Sequence, residues 1–228
     1  MPRFVITEGD GDTDKGMKWE WATVKGNDLY VGSMGKEYTN PDGSIANTNN
    51  LWIAIVNSHG EVERVDWKDQ YDFVRKVLKA ESPGYVIHEA VLWSSHLKKW
   101  VFLPRRVSHE MYDENEDERK GSNLIVLVDE QFKTSEVVAI DMKHLDPLHG
   151  FSTFAFVPGT KDEHAIAIRS VEEDCVDATP ESPCKQRSYI IVFETKTGKV
   201  LMDEHRVDLS VKFEGIEFVD VSIPSPYN

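Results

Sequence analysis

The sequence predicts an all-β fold built from a repeated unit of four short strands, the make-up of a β-propeller blade, interrupted by one helix. Three observations predict it. Most apolar residues fall in short β-branched or aromatic runs punctuated by Gly, Asn, Asp, Lys and Pro. The runs recur around equivalent polar positions at intervals of 62 to 69 residues. Only one stretch carries helical periodicity.

In chain order, the first pair of strands is residues 19–24 and 29–32, joined by the polar turn Lys25-Gly26-Asn27-Asp28. The run at 51–56, Leu-Trp-Ile-Ala-Ile-Val, is a further strand. Between Trp67 and Ala80 the apolar residues Tyr71, Val74 and Leu78 recur at helical spacing, which predicts a helix ending before Pro83. A second pair follows at 88–93 and 100–103, with strands at 124–128 and 137–140 after it. The third pair occupies 151–157 and 165–168, followed by a strand at 189–193. A fourth start, 213–219, predicts a lone closing inner strand. The acidic stretch from Asp10 to Gly16 is a turn and not a calcium-binding EF-hand loop: Lys15 stands where that loop needs Gly, and Trp21 where it needs Glu.

Each repeat carries a polar anchor at its first strand: Glu20, Glu89, Ser152 and Glu214, spaced 69, 63 and 62 residues apart. The helix falls in the longest interval, which accounts for its extra length. In a ring of four-stranded units, equivalent positions on the innermost strands converge on the central channel. Three carboxylates and a hydroxyl aimed at one axis are costly unless neutralised. Calcium, a hard cation that takes oxygen ligands, is the natural neutraliser. Three units and a lone inner strand are too few to close a ring. The pattern therefore predicts further chain upstream or, failing that, an unrelated two-sheet β architecture.

Composition narrows the function classes. The chain of 228 residues is globular in make-up, with 40% hydrophobic residues, and reads as one domain over 1–228. Its net charge of −14, from 40 acids against 26 bases, argues against binding nucleic acid, whose phosphates it would repel. No apolar run is long enough to span a membrane, and Met1 to Glu8 lacks the apolar core of a signal peptide. The two cysteines, Cys175 and Cys184, flank a polar, Pro-containing loop. They suit a disulfide clip, which implies an oxidising compartment, better than a zinc site. Two free thiols in a reducing compartment are the other reading.

Five segments carry a resemblance. They are Gly84-Tyr85-Val86-Ile87-His88-Glu89, Trp100-Val101-Phe102-Leu103-Pro104-Arg105-Arg106, Asp117-Glu118-Arg119-Lys120-Gly121-Ser122-Asn123, His149-Gly150-Phe151-Ser152 and Glu214-Gly215-Ile216-Glu217-Phe218. Together they resemble the calcium-activated nucleotidases, a family of apyrases. The resemblance implies a five-bladed propeller, one Ca²⁺ in the central tunnel, and hydrolysis of nucleoside diphosphates such as UDP, GDP or ADP, and of some triphosphates, to orthophosphate. It matches Glu20, Glu89, Ser152 and Glu214 to the family's calcium ligands. It also implies secretion or residence in the endoplasmic reticulum or Golgi lumen, and leaves a homodimer open. The family's further Ser-Asp metal ligands and its N-terminal acidic catalytic residues have no match, so no catalytic residue is assigned. The expectation is an N-terminally truncated enzyme, with a non-catalytic binding or interaction module as the alternative.

Phosphoanhydride hydrolysis needs cations on the phosphoryl oxygens and a positioned water. Arg105 and Arg106 end a strand that the resemblance places beside the nucleotide, and guanidinium groups suit bidentate phosphate binding. Arg119 and Lys120 close an acidic loop and are its members expected to face substrate. Lys36 and Glu37 occupy the corresponding loop one unit earlier, as Arg169, Glu172 and Glu173 do one unit later. His88 and His149, each just before an anchor, are expected to be packing residues and not bases.

Overall fold

A computed structural model of the chain describes residues 6, 16–40, 44–176, 178–207 and 209–219. The Asp10–Gly16 turn (apart from Gly16) and most of the N-terminal stretch fall outside them. The fold is all-β, with three four-stranded antiparallel sheets following one another along the chain.

The first sheet runs in the order β1 (Trp19–Lys25), β2 (Asp28–Ser33), β5 (Trp52–Val56) and β6 (Val62–Asp66). A small hairpin, β3 (Tyr38–Thr39) with β4 (Ile45–Asn47), is inserted before β5. Helix α1 (Lys68–Val77) leads to the second sheet, β7 (Tyr85–Ser94), β8 (Lys99–Ser108), β9 (Leu124–Asp129) and β10 (Ser135–Ala139). One short turn of helix, α2 (Glu114–Asp117), lies in the loop between β8 and β9. The third sheet is β11 (Gly150–Phe156), β12 (His164–Glu173), β13 (Lys185–Glu194) and β14 (Val200–Arg206).

The second sheet is the middle layer, and its residue pattern shows why. Successive side chains of a strand point to opposite faces. Trp100 and Phe102 of β8, with Val126 and Val128 of β9, enter one core together with Trp21, Ile53 and α1. Val101 and Leu103, with Ile125 and Leu127, enter the other core against Phe151, Phe154, Ile191 and Phe193 of the third sheet. A strand buried on both faces needs a continuous apolar run, and Leu-Ile-Val-Leu-Val in β9 is one. Each such buried side chain contributes about 2 kcal/mol. Trp67 is the hub of the first core: its ring lies 5.1 Å from Trp100, 5.3 Å from Tyr71 and 5.4 Å from Trp21.

The predicted helix is present, and Tyr71 and Val74 are its fully buried residues. Just before it, Asp66 accepts from the Lys68 backbone N–H at 2.9 Å, a local turn leading into the helix. One expectation is corrected. Residues 213–219 form no strand and pair with no sheet. A strand exists only within a hydrogen-bonded ladder. This segment is held by single side-chain hydrogen bonds instead, from Ser152 to the Phe213 carbonyl and from the Phe213 N–H to Ser188.

Candidate functional site

The first strands of the three sheets, β1, β7 and β11, lie side by side, with β7 in the middle. All three are bulged, at equivalent places. Glu20 lies between Trp19, paired with Ser33, and Trp21, paired with Gly32. Glu89 lies between His88, opposite Pro104, and Ala90, opposite Leu103. Ser152 lies between Phe151, opposite Arg169, and Thr153, opposite Ile168. Each anchor is thus the extra, unpaired residue of a β-bulge, the device by which a strand re-aims one side chain without giving up its register elsewhere.

Glu20, Glu89 and Glu214 line one small cavity of about 110 Å³. Burial, and then the charge of Glu89, push the Glu20 carboxyl above its ordinary pKa, while Lys18 at 2.7 Å pulls the other way. Glu89 is buried and meets Arg105 at 3.1 Å and Lys212 at 3.7 Å. Glu214 is largely exposed and bonded to Lys212 at 2.8 Å. Ser152 is buried, and its hydroxyl donates to the Phe213 carbonyl at 2.9 Å, which ties the segment carrying Glu214 to β11. A donor set of carboxylate and hydroxyl oxygens is of the chemical kind that a hard divalent cation such as Ca²⁺ takes. Among the described residues the carboxylates do not converge on a single point.

Beside this cluster opens a larger cavity of about 650 Å³, walled by the loop after β2, the end of β8, the α2 loop and the end of β12. Both arginines of β8 line it, in different electrostatic states. Arg105 is saturated by Glu89, by the Ser170 hydroxyl at 2.7 Å and by Glu172 at 3.0 Å. Arg106 is equally buried but poorly paired. Its Nη1 reaches the Leu148 carbonyl only at 3.4 Å, its Nε has no hydrogen-bond partner, and Asp117 stands 3.9 Å off. Burial, followed by the charge of Arg105, works against its proton and holds its pKa below the usual range. A guanidinium keeps that proton at neutral pH regardless. Gly150 allows this arrangement: a Cβ there would come within 2.7 Å of both arginine side chains.

Lys36 lines the same cavity, with its ammonium 3.9 Å from the Tyr112 ring centroid and hydrogen-bonded to Thr39 at 3.2 Å. Burial lowers its pKa. Glu37, also on the wall, is taken by Arg75 of α1. Arg119 and Lys120 lie apart. Arg119 lines a separate rim pocket with Glu118, and Lys120 bonds to Glu110 at 2.8 Å. Cys175 and Cys184 are joined by a disulfide that clips the β12–β13 connection, and Cys175 lies on the walls of both pockets. His88 and His149 are buried. His149 stacks on Tyr189 and bonds Glu204, which Arg169 also bonds. Arg169 also donates to the His149 and Ser122 carbonyls, tying the third sheet to the β8–β9 connection, and it is not among the residues that line the cavity.

The amino-acid sequence that builds this cavity matches a known family along nearly the whole chain. The apyrase family model covers residues 1–219. The chain belongs to the apyrase family. It is 42% identical over 219 residues to soluble calcium-activated nucleotidase 1 of Rattus norvegicus, covering 96% of this chain and 51% of that protein. It is 40% identical to the apyrase of Cimex lectularius, over 96% of this chain and 57% of the relative, and 41% identical to apyrase apy-1 of Caenorhabditis elegans, over 96% and 59%. The chain thus spans between half and three-fifths of the length of these relatives.

Sequence reasoning missed Lys18 and Lys212 beside the carboxylates, Tyr112 under Lys36, and the saturation of Arg105. Lys212 carried a local signal, since it lies two residues before an anchor. Tyr112 carried none, because an aromatic residue in a polar loop is ordinarily a packing residue.

Proposed function

We propose that this apyrase-family chain is a sector of a five-bladed β-propeller that hydrolyses the terminal phosphoanhydride of nucleoside di- and triphosphates such as UDP, GDP and ADP. Three meanders of four strands with their first strands side by side support the propeller. The names of the relatives, apyrase and soluble calcium-activated nucleotidase, support the reaction and its calcium dependence. The observation that carries the reading is Arg106, a buried guanidinium on the cavity wall with donors to spare. A phosphate completes its hydrogen bonding better than any group now beside it.

Glu20, Glu89 and Glu214, with Ser152, are the residues that would hold Ca²⁺. When bound, the ion neutralises these carboxylates and gives the adjoining cavity a field that accepts an anion. Arg106 donates to phosphate oxygens. Lys36, on the same cavity's wall, adds a second cation, held in place by the Tyr112 ring. Arg105 acts indirectly, by holding Glu89 and Glu172 in position. The Cys175–Cys184 clip supports a secreted or lumenal protein, since such bonds persist in oxidising compartments. No helix among the described residues is long and apolar enough to cross a membrane.

The test is phosphate release from UDP, GDP and ADP, with calcium titrated against a chelator. Release that rises with calcium is the expected result. Calorimetric binding of UDP without release selects the second reading, a nucleotide-binding module. Neither binding nor release removes both.

A further inference from the structure

Asp117 faces the large cavity from the end of α2, and its carboxylate is fixed on one side only. The Tyr85 hydroxyl donates to its Oδ1 at 2.7 Å, and Tyr85 is itself buried. Burial, and then the charge of Asp117, push the Tyr85 pKa up, so the phenol stays a donor. The other oxygen, Oδ2, accepts no hydrogen bond among the described residues and lies 3.9 Å from the unpartnered Nε of Arg106. Backbone delivers the residue there. The Asp117 N–H donates to the Asp113 carbonyl at 2.9 Å, and the Asp117 carbonyl accepts from the Lys120 N–H at 3.1 Å. The chain then joins β8 beside Arg106: the Lys120 carbonyl accepts from the Val107 N–H at 2.9 Å, and Gly121 bridges to Arg106 itself.

The other acids of this wall are occupied or remote from any cation. Glu20 is held by Lys18, Glu37 by Arg75, and Glu89 and Glu172 by Arg105. Asp113 caps α2, and Glu118 accepts from the Asp174 N–H at 3.0 Å. Glu114 is exposed and forms no ion pair among the described residues. Of the carboxylates lining the cavity, Asp117 alone combines a fixed orientation, a free oxygen and a neighbouring guanidinium with donors to spare. Phosphoanhydride hydrolysis needs such a group, because the attacking water has to be held and turned toward the phosphorus.

We infer that Asp117 is the catalytic carboxylate that orients the attacking water. This rests on the hydrolytic reading above. With the terminal phosphate on Arg106, Oδ2 of Asp117 accepts a hydrogen bond from the water. The water oxygen forms the new bond to phosphorus, and the bond from phosphorus to the bridging oxygen breaks. Its electron pair leaves with the nucleoside monophosphate. The proton of the water passes to Oδ2 and from there to solvent, which leaves orthophosphate. Tyr85 is a positioning residue: it fixes the carboxylate without touching water or substrate. The charge of Arg106 lets a carboxylate and a phosphate share one cavity.

The experiment measures kcat for UDP, and calorimetric affinity for its non-hydrolysable α,β-methylene analogue, in wild type, Asp117→Asn and Tyr85→Phe. Asp117→Asn keeps an acceptor for Tyr85 and loses the charge that takes the proton. Its kcat is expected to fall by about 100- to 10,000-fold, the contribution of a positioned base. Its affinity for the analogue is expected to equal or exceed that of wild type, since a negative charge beside the phosphate is gone. Tyr85→Phe is expected to lower kcat by about tenfold, the worth of one hydrogen bond, with affinity unchanged. A kcat of Asp117→Asn close to wild type overturns the inference, and so does a loss of analogue affinity large enough to account for the lost rate. Should Asp117→Asn not fold, Tyr85→Phe decides the matter: an unchanged kcat, or a fall matched by weaker affinity, overturns the inference. Release of phosphate by wild type and Asp117→Asn alike removes the inference alone. A wild type that releases none removes the hydrolytic reading together with it.

Discussion

Arg75 holds Glu37 by both terminal nitrogens of its guanidinium, at 2.9 and 2.7 Å, and so fastens α1 to the cavity wall. Burial works to raise the Glu37 carboxyl, but the Arg75 hydrogen bond and charge outweigh it and hold the pKa below the usual carboxylate range. The pair therefore contributes stability that is complete above the ordinary glutamate pKa and is lost as pH falls through the lowered one. Urea unfolding at neutral pH should show Arg75→Met destabilised by about 3 kcal/mol, since it strands a largely buried carboxylate. The gap between variant and wild type should narrow at acid pH, where Glu37 is neutral in both.

Arg105 and Arg106 should separate stability from affinity. Arg106→Gln is expected to leave the denaturation midpoint near wild type and to weaken UDP binding by about 10- to 100-fold, the loss of one charge-assisted hydrogen-bond donor set. Arg105→Gln is expected to lower the midpoint, because Glu89 and Glu172 lose their partner. Calorimetry and urea titration on both variants check this. Equal effects of the two on stability would contradict the pairing described above.

Calcium should raise the melting temperature, and magnesium should not replace it, because magnesium demands tight octahedral geometry and gives up its waters reluctantly. Glu20→Gln and Glu89→Gln should each abolish most of the calcium-induced shift. Glu110→Gln, a carboxylate remote from the cluster, should leave it intact. Differential scanning fluorimetry over a calcium series reads all three.

The paired change Cys175→Ser with Cys184→Ser opens a loop closed over a sequence separation of 9. The unfolded chain gains freedom, and the expected loss is about 2 to 3 kcal/mol. Because Cys175 also lies on the cavity wall, nucleotide affinity should fall with it, by a few-fold. Chemical denaturation and calorimetry of the double variant test both parts.

What was legible in the sequence follows from burial. The strands of the middle sheet announce themselves because both of their faces are apolar, and α1 because Tyr71, Val74 and Leu78 share one face. The edge strands β6 and β14 went unread: Val62, Leu201 and Met202 are exposed, so water and not a core faces them, and no alternation is required. The anchors Glu20, Glu89 and Ser152 were legible because the same bulge recurs at the same place in each unit. Glu214 shared the sequence pattern but not the backbone, since its segment has no ladder to join. The difference between Arg105 and Arg106 was not legible, because adjacent strand residues point opposite ways and only the fold says which way meets the carboxylates.

The three bulges belong to three separate sheets, each formed from its own stretch of chain. Every hairpin can therefore form without the oxygen set existing at all. Only the docking of β1 on β7 and of β7 on β11 sets the three bulges side by side. Under the calcium proposal, affinity for the ion becomes a gauge of tertiary order: an intermediate with full strand content but one sheet swung aside would look native by far-ultraviolet dichroism and fail to bind it.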